Sequence, residues 1–550
     1  MKYGCGAAAI AAVGIVSVAC VPDRIDGTAS DKTEQTEMVV RPDAIRAHIE
    51  FLADDVLAGR EAGTEGYDIA ARYVASQFRA LGLKPAGEND TYFQNVPLRA
   101  SYRVAESVEL IVRDSQGSHS LSHPEDFIIG ANPRHETGTI RSDAVFVGYG
   151  IVAPEFGHDD YAELDVEGKV VVMMTGFPKS FPSEEGAHYS STRSKARVAD
   201  EHGALGTITI YSPGFEAVRP YGRVTLNLHR SSMTWIGEDG EAFSESPDLQ
   251  VEALMSPAGG AVLFESAERS YEQVRADAAA DDREPKGFPL AVRITVSQAT
   301  RHETLESANV AAVLEGSDPL LKDQYVVFTA HLDAHGTGTE ADGDGIYNGA
   351  MDNAAGIATM IEAARVFVAS GNPPRRSVLF LALTAEEKGL IGAEYFAKHP
   401  TVPIDNIVAN INLDMPMLLY DFTDVVAFGA QHSTLGETVG SASEKLGVSL
   451  SPDPVPQYAV FVRSDHYRFV QQGVPAVMLA TGFANGGAEI IMDFQKNHYH
   501  MPSDDASLPI DYAAGAKFAM LNYLIGREIA DRDEQPIWYE NDFFGELFGR

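Results

Sequence analysis

The chain is almost without cysteine. Its 550 residues contain two, Cys5 and Cys20, and none follows Cys20. A fold held together by disulfide bonds needs cysteines throughout the body of the chain, so that class of protein is excluded. The same absence excludes a cysteine nucleophile, a thiolate zinc site and a cysteine-ligated iron–sulfur cluster beyond residue 20.

Basic residues are also scarce. Lysine and arginine number 42 against 79 aspartates and glutamates, and the formal net charge is −37. A chain this acidic is repelled by nucleic-acid phosphates and by anionic membrane surfaces, so we expect no nucleic-acid partner. The 45% hydrophobic and 22% charged residues are otherwise typical of a globular protein, which excludes wholesale disorder, collagen and coiled coil.

Long apolar runs are missing as well. The run at residues 6–19 is too short to cross a bilayer, and no later stretch is long and apolar enough. Preceded by Lys2, this run is typical of the hydrophobic part of a secretory signal. We therefore predict a signal peptide over residues 1–19 and a flexible tether over residues 20–42.

The end of this run, Ser17-Val18-Ala19-Cys20, resembles a bacterial lipobox, with serine where leucine is usual. The resemblance implies cleavage before Cys20 and lipidation of that cysteine. The predicted location is then the periplasm or the cell surface, with the lipid anchor as the membrane contact. Ordinary signal cleavage near Ala19, which would give a soluble secreted protein, is the alternative.

The rest of the chain changes its pattern twice, and its length suggests two or three structural units. Residues 43–105 have helical apolar spacing, for example over 71–82, where a glycine ends the predicted helix. Residues 106–298 contain short β-like runs broken by glycine and proline. Residues 299–530 alternate apolar strands with amphipathic helices, and residues 531–550 form a C-terminal tail.

The alternation in residues 299–530 predicts the fold class. Strands that are apolar throughout are buried on both faces, which is typical of parallel strands covered by helices. We therefore predict an α/β fold with a mostly parallel central sheet flanked by helices, and a β-rich insertion before it. The predicted strands are 325–330, 377–384, 407–413 and 474–480, and a predicted helix covers 356–369.

Polar side chains follow the predicted strands where each one ends. His331 follows the first strand, Glu386 and Glu387 follow the second, and Asp414 follows the third. Ligand sites in open α/β sheets lie beyond the carboxyl ends of the strands, so these side chains are expected to meet.

Two further residues belong to this edge: Asp352 in a glycine-punctuated turn, and His500 in the loop after the last strand. Histidine and carboxylate ligands suit Zn²⁺, and a carboxylate can bridge two ions about 3.5–4 Å apart. Each residue also has an ordinary explanation, such as a helix start, a cap or a structural histidine. Six such coincidences at one sheet edge are improbable, so we favour a metal site.

The motifs around these residues resemble those of the co-catalytic di-zinc aminopeptidases, the peptidase family that also contains glutamate carboxypeptidase. The resemblance extends over about 309–526, in the family's order and spacing. Residues 51–60 are similar to the family's N-terminal segment, and residues 146–150 to a protease-associated domain inserted before the catalytic strands. Met501 stands where the family usually has threonine. The matching motifs are 330–333, 348–356, 384–389, 412–414 and 499–504.

The resemblance implies two Zn²⁺ ions and a role for each residue. Asp352 would bridge both ions, His331 and Asp414 would complete one ion, and Glu387 and His500 the other. Three protein ligands on each ion leave room for a shared water or hydroxide. Cobalt or manganese could occupy the same ligands.

Residues around the ligands also acquire expected roles from the resemblance. Glu386 is not a ligand and is expected to act as general base, and Asp333 is expected to fix the tautomer of the His331 imidazole. A cis peptide is expected between Asp352 and Asn353. The segment containing Ser464, Asp465 and His466 is similar to one that lines the family's substrate cleft, although a buried salt-bridge turn explains it equally well.

Two more histidines lie near the ligands in sequence. His498 and His500 are two residues apart, and only His500 precedes the family's Pro502-Ser503-Asp504 pattern. We therefore exclude His498 as a ligand and interpret His335 as a rim or polar-network residue.

The leading hypothesis is an exported zinc aminopeptidase that acts on peptides. A carboxypeptidase of the glutamate carboxypeptidase type and a glutaminyl cyclase are alternatives, because similar metal sites support them. A non-catalytic receptor-like protein is disfavoured, since all five ligands and Glu386 are retained. Side-chain specificity, native metal and oligomeric state are left open.

Overall fold

The computed structural model describes Met1 and residues 39–225, 228, 230–341 and 343–550. The predicted signal peptide, most of the tether and Cys20 lie outside these residues. No helix within the described ranges is long and apolar enough to cross a membrane.

The strands form the β-sheets of the molecule. They are, in chain order, β1 Lys84–Pro85, β2 Phe93–Arg103, β3 Glu109–Arg113, β4 Ser118–Leu121, β5 Phe127–Ile129, β6 Thr137–Phe146, β7 Val152–Ala153, β8 His158–Asp159, β9 Val170–Met174, β10 Gly206–Ile210, β11 Ser232–Trp235, β12 Val251–Met255, β13 Phe288–Leu314, β14 Tyr325–His331, β15 Gly336–Ala341, β16 Asp344–Tyr347, β17 Ser377–Leu383, β18 Ile407–Asn412, β19 Asp424–Phe428, β20 Ser449–Leu450 and β21 Ala476–Thr481.

The helices cover the faces of the sheets. They are α1 Pro42–Leu52, α2 Glu65–Ala80, α3 Ser183–Ser190, α4 Thr192–Glu201, α5 Pro213–Val218, α6 Tyr221–Thr225, α7 Pro257–Val262, α8 Tyr271–Ala279, α9 Ala355–Ala369, α10 Ile391–Lys398, α11 Leu435–Lys445, α12 His466–Val470, α13 Gly487–Asn497, α14 Tyr512–Asp531 and α15 Phe543–Phe548. A π-helical turn, Ala350–Ala354, precedes α9.

The central sheet is built around the strands expected from the apolar pattern. Strands β17, β14, β18 and β21 lie side by side and run parallel, and β19 and β13 pair antiparallel with the outer two. All four strands begin and end within two residues of the predicted bounds. The predicted α/β class with a mostly parallel central sheet is confirmed.

The strands of this sheet are apolar on both faces because helices cover both. Val326 and Phe328 of β14 pack into a core that includes α9 and α14. Val327, the residue between them, packs on the other face against α10 and α12. Alternate residues of β14 thus contribute to two hydrophobic cores on opposite faces of the sheet.

A second sheet lies in the region between β2 and the central strands. Its order is β4–β3–β13–β6–β9–β10–β12–β5, and it has a hydrophobic core of its own. The two sheets share β13, whose first half pairs with β3 and β6 and whose second half pairs with β2 and β17.

Because β13 belongs to both sheets, the predicted insertion and the predicted catalytic region are not separated at their boundary. The boundary placed at 298/299 falls inside β13, which runs on without a break. Its burial alternates at first and becomes continuous from Val310 to Ala312, as the strand passes from a sheet covered on one face to one covered on both. Strand β11, within the predicted insertion, pairs with β2 at the edge of the central sheet.

Candidate metal centre and substrate cleft

The structure brings the six predicted residues to one edge of the central sheet. His331 is the last residue of β14, and Glu386 and Glu387 follow β17. Asp414 follows β18, Asp352 lies in the π-helical turn before α9, and His500 lies beyond α13. Because β14, β17 and β18 are parallel, their carboxyl ends meet at this edge.

A first cluster consists of His331, Asp352 and Asp414, all buried. His331 Nε2 lies 3.1 Å from Asp352 Oδ1 and 3.2 Å from Asp414 Oδ1. The three ligand atoms surround one small volume, which suits a single cation.

A second cluster consists of His335, Glu387 and His500. His500 Nε2 lies 3.4 Å from Glu387 Oε2 and 3.3 Å from Asp352 Oδ2. Asp352 therefore directs one carboxylate oxygen at each cluster, as a bridging ligand must. His335 lies inside this cluster, 3.1 Å from Glu387 Oε2, and not at the rim of the cleft.

The donor set fits two Zn²⁺ ions. Zinc bonds of about 2.0–2.2 Å at tetrahedral angles place neighbouring ligand atoms about 3.3–3.6 Å apart, close to the separations in both clusters. Asp352 and Asp414 are buried and the two glutamates are half-buried, and a carboxylate removed from water without a cation is costly. Burial and the neighbouring carboxylates raise the pKa values of Glu386 and Glu387 well above their ordinary range. Two divalent cations would remove this repulsion.

The backbone at the site adopts conformations that are rare elsewhere. The peptide between Asp352 and Asn353 is cis, as expected. Ala385, Met415 and His500 have φ angles of 53°, 47° and 59°, in the left-handed region that non-glycine residues seldom occupy. Each of the three is a predicted ligand or is adjacent to a predicted site residue, and such conformations concentrate at functional sites.

Asp333 acts on both sides of the site. Its backbone carbonyl accepts a hydrogen bond from His331 Nδ1 at 3.2 Å, so the proton lies on Nδ1 and Nε2 keeps its lone pair for a metal. Its carboxylate accepts hydrogen bonds from the N–H groups of Glu386 and Glu387 at 3.0 and 3.2 Å. The carbonyl thus orients the imidazole, while the carboxylate positions both glutamates.

Two residues that support the site were not among the predicted site residues. The Asp504 carboxylate accepts hydrogen bonds from the N–H groups of Met351 and Asp352 at 2.8 and 3.1 Å, which holds the turn that carries the bridging aspartate. Burial raises the pKa of Asp504 to about 7. Arg60 is fully buried and donates to the carbonyls of Leu332, Asn348 and Gly349. Both residues lie within the motifs that resemble the peptidase family, and this resemblance was the sequence signal that could have identified them.

Of the three residues predicted to line the substrate cleft, only one does so. Ser464 lines the cleft, and its hydroxyl donates to Asp414 Oδ2 at 2.5 Å. Asp465 and His466 are 1% and 0% exposed and lie behind the cleft wall. Neither carboxylate oxygen of Asp465 has a hydrogen-bond partner among the described residues, and burial raises its pKa to about 8.

A cleft of about 1330 Å³ opens over the two clusters. One wall comes from the second sheet and its helices and the other from the central-sheet part, and both Asp352 and Glu386 face it. His498 makes a hydrogen bond with Ser503 at 2.9 Å and belongs to neither cluster.

Part of the chain is similar to known peptidases. Residues 309–524 match the model of peptidase family M28. A probable zinc metalloprotease of Pyrenophora teres f. teres is 37% identical over 107 residues, 19% of this chain and 22% of that protein. Aminopeptidase NAALADL1 of Mus musculus is 33% identical over 138 residues, 24% of this chain and 17% of that protein. The matches thus span about a fifth of these relatives' own length.

A solved aminopeptidase from Aneurinibacillus sp. strain AM-1 has the same fold. It superposes with a TM-score of 0.54 at 19% sequence identity, covering 91% of this chain and 97% of that one. The matched residues 309–524 include all five predicted ligands and Glu386. Residues 309–524, the part of the chain that carries the candidate site, are therefore similar to peptidase family M28.

Proposed function

We propose that the chain is an exported zinc aminopeptidase that removes N-terminal residues from peptides. The observation that carries this proposal is the position of Asp352, whose two oxygens face two separate histidine–carboxylate clusters. The mouse relative and the superposed structure are both aminopeptidases by name, which supports this choice.

When bound, the two ions would polarise the scissile carbonyl and acidify a bound water. His331, Asp352 and Asp414 would hold one ion, and Asp352, Glu387 and His500 the other. The side chains around the ions would carry out the proton transfers.

Glu386 is the residue placed to move the proton. Its Oε2 lies 3.9 Å from His331 Nε2, and its side chain faces the cleft without joining either cluster. A carboxylate in this position takes a proton from the water and passes it to the leaving amine. Asp333 holds the Glu386 backbone, and Ser464 holds Asp414, so the base and the ligand keep their relative positions.

A carboxypeptidase is the second candidate, and Arg230, which packs against Tyr347 of the cleft wall, is the cation that it would use. Such an enzyme needs a cation that holds the C-terminal carboxylate of the substrate. The Arg230 guanidinium stacks on the Tyr347 ring at 4.6 Å, close enough to Glu387 for their charges to interact. Its Nε and Nη2 atoms have no hydrogen-bond partner among the residues that the structure describes.

One substrate panel tests both candidates. The purified protein is assayed with peptides that carry a free or acetylated N-terminus and a free or amidated C-terminus. An aminopeptidase cleaves the first residue of free-N-terminal peptides and ignores the acetylated ones, whereas a carboxypeptidase requires the free C-terminus. Chelation should abolish hydrolysis and zinc should restore it. Hydrolysis that survives exhaustive chelation would make the metal mechanism wrong.

We also propose that the protein is exported and anchored through lipidated Cys20. The apolar run at 6–19 followed by Ser17-Val18-Ala19-Cys20 supports this. Cys20→Ala should move the protein from the membrane fraction to the soluble fraction. Unchanged fractionation of this variant would favour another anchor, and a soluble wild type would favour plain secretion.

A further inference from the structure

His335 is buried within the second cluster, whereas the sequence indicated a rim or polar-network residue. It is 8% exposed, and its ring meets the His500 ring edge to face, with 4.1 Å between the centroids. Its Nε2 lies 3.1 Å from Glu387 Oε2, the same oxygen that faces His500.

The contact between His335 and Glu387 is short, yet it is not a hydrogen bond. The Nε2 atom has no hydrogen-bond partner among the described residues, because the ring nitrogen does not point along the line to the carboxylate oxygen. Two polar atoms this close that do not point at each other can both point at a third position. The 3.1 Å separation is close to the edge of about 3.3–3.6 Å between two ligands of a tetrahedral zinc ion.

The chain path explains how His335 arrives there. His331, Asp333 and His335 are alternate residues of a segment that has no helix or turn after the end of β14. Alternate residues of an extended segment face the same side. His331 reaches the first cluster and His335 the second, with Asp333 between them holding both glutamates.

We propose that His335 is an additional ligand of the ion held by Asp352, Glu387 and His500. The proposal rests on the two-metal function above. With His335, this ion has four protein ligands, whereas the ion of His331, Asp352 and Asp414 has three. A closed set of four is typical of firmly held zinc, and a set of three leaves the open position that water needs. The water-bearing ion is then the one beside His331, on the side where Glu386 lies.

Zinc affinity tests the assignment without reference to activity. Full-length wild type, His335→Gln and His498→Gln are titrated with a chelating dye of known zinc affinity. Wild type and His498→Gln should release their two ions at the same dye concentrations. His335→Gln should lose one ion at least tenfold more readily, since even residues that only support ligands change affinity by about 10–100-fold. Equal affinity in all three proteins would overturn the proposal.

A spectroscopic variant keeps the test valid if glutamine disturbs the pocket. No cysteine follows Cys20, so His335→Cys places a single thiol in the body of the chain. The cobalt-loaded His335→Cys protein should show a thiolate-to-cobalt charge-transfer band that is absent in wild type and in His498→Cys. Its absence would contradict direct ligation.

The outcomes separate this proposal from the function it rests on. A wild type that binds two zinc ions and hydrolyses peptides, with unchanged zinc affinity in His335→Gln and no band in His335→Cys, contradicts only the role of His335. A wild type that binds no zinc contradicts both.

Discussion

Glu386 and Glu387 are neighbours in the chain, and the Asp333 carboxylate accepts a hydrogen bond from the backbone N–H of each. Their side chains nevertheless have different surroundings. Glu387 Oε2 lies within 3.4 Å of two imidazole nitrogens, whereas Glu386 Oε2 lies 3.9 Å from His331. The left-handed Ala385 just before them turns the backbone away from the strand direction. These surroundings support the proposed roles of Glu387 as a ligand and Glu386 as a base.

Glu386→Gln should separate proton transfer from metal binding. Glutamine keeps the size of the side chain but accepts no proton. We expect both zinc ions to be retained, KM to change little, and kcat to fall by roughly 10²–10⁴-fold, as for a positioned general base. Zinc content and steady-state kinetics of the same preparation provide the check.

Glu387→Gln is the matched variant, and it should lose activity for a different reason. It removes a charged ligand, so zinc content should fall and activity should return in part at high zinc. Zinc loss in Glu386→Gln combined with full zinc in Glu387→Gln would reverse the two roles. If neither variant slowed hydrolysis, the assigned site would be wrong.

At the scale of elements, Arg60 connects three segments that the site requires. It follows α1, and its guanidinium donates to the carbonyl of Leu52, to that of Leu332 after β14, and to those of Asn348 and Gly349 before the π-helical turn. The planar guanidinium, with five donors, reaches all of them from one position. This residue therefore ties the N-terminal helices to the segments that carry His331 and Asp352.

Arg60→Lys should lower the free energy of unfolding. An ammonium group cannot reproduce the planar fork, and each buried carbonyl left without a donor costs about 1–3 kcal/mol. We expect the free energy of unfolding, measured in urea, to fall by several times this amount. Arg72→Lys, at an exposed position of α2, is the control and should leave stability unchanged. A similar midpoint for both variants would contradict the role assigned to Arg60.

Helix α3 attaches the second-sheet region to the central-sheet part through a buried histidine. His432 Nε2 lies 2.6 Å from Glu184 Oε2 of α3, and Nδ1 lies 2.6 Å from Asp542 Oδ2 just before α15. Burial lowers the pKa of His432, but the two carboxylates outweigh it and raise the pKa to about 9. The imidazolium thus joins both carboxylates at neutral pH.

This contact should make stability fall as pH rises. The folded protein keeps the His432 proton up to pH 9, whereas the unfolded chain releases it near about pH 6.5, so the stabilisation is complete below 6.5 and is lost by 9. Its size is of the order of 3 kcal/mol. The difference in unfolding free energy between wild type and His432→Gln should shrink by that amount between pH 6 and pH 9.5 in urea titrations. A constant difference would contradict the raised pKa.

At the scale of the whole molecule, the charge of the cleft differs from that of the chain. The net charge is −37, yet basic side chains line the cleft away from the metal clusters. They are Lys179, Arg219, Arg223, Arg463 and Lys496, and they outnumber the acids in that part of the cleft, Glu340 and Asp453. With the ligand carboxylates neutralised by metal, these walls present positive charge to the substrate.

Peptides with acidic residues beyond the scissile bond should therefore bind better than basic ones. We expect a lower KM for a peptide with glutamate at these positions than for the same peptide with lysine, and a smaller difference at high salt. Arg463→Gln should reduce the preference, since Arg463 lies on the cleft wall. Equal KM values for the two peptides at low salt would show that the cleft charge does not select substrates.

The sequence by itself determined the fold class and most of the candidate metal site. Strands that must be buried on both faces are apolar throughout, and this local pattern places β14, β17 and β18 within two residues. The ligands after these strands follow from the same pattern, because parallel strands bring their carboxyl ends to one edge. Asp352 and His500 lie in a turn and a loop and not directly after a strand, so their specific ligand roles came from the family resemblance.

Only the tertiary structure decided which side chains meet. His335 was interpreted as a rim or polar-network residue because a lone histidine carries no local signal, and its burial depends on the path of the chain beyond β14. The hydroxyl of Ser464 reaching Asp414, and the burial of Asp465 behind the cleft, depend on packing between distant segments. Likewise, β13 joins two sheets because its pairing partners change along its length, which no pattern in the strand alone reveals. Local patterns determine elements, whereas contacts between residues far apart in the chain depend on how those elements pack.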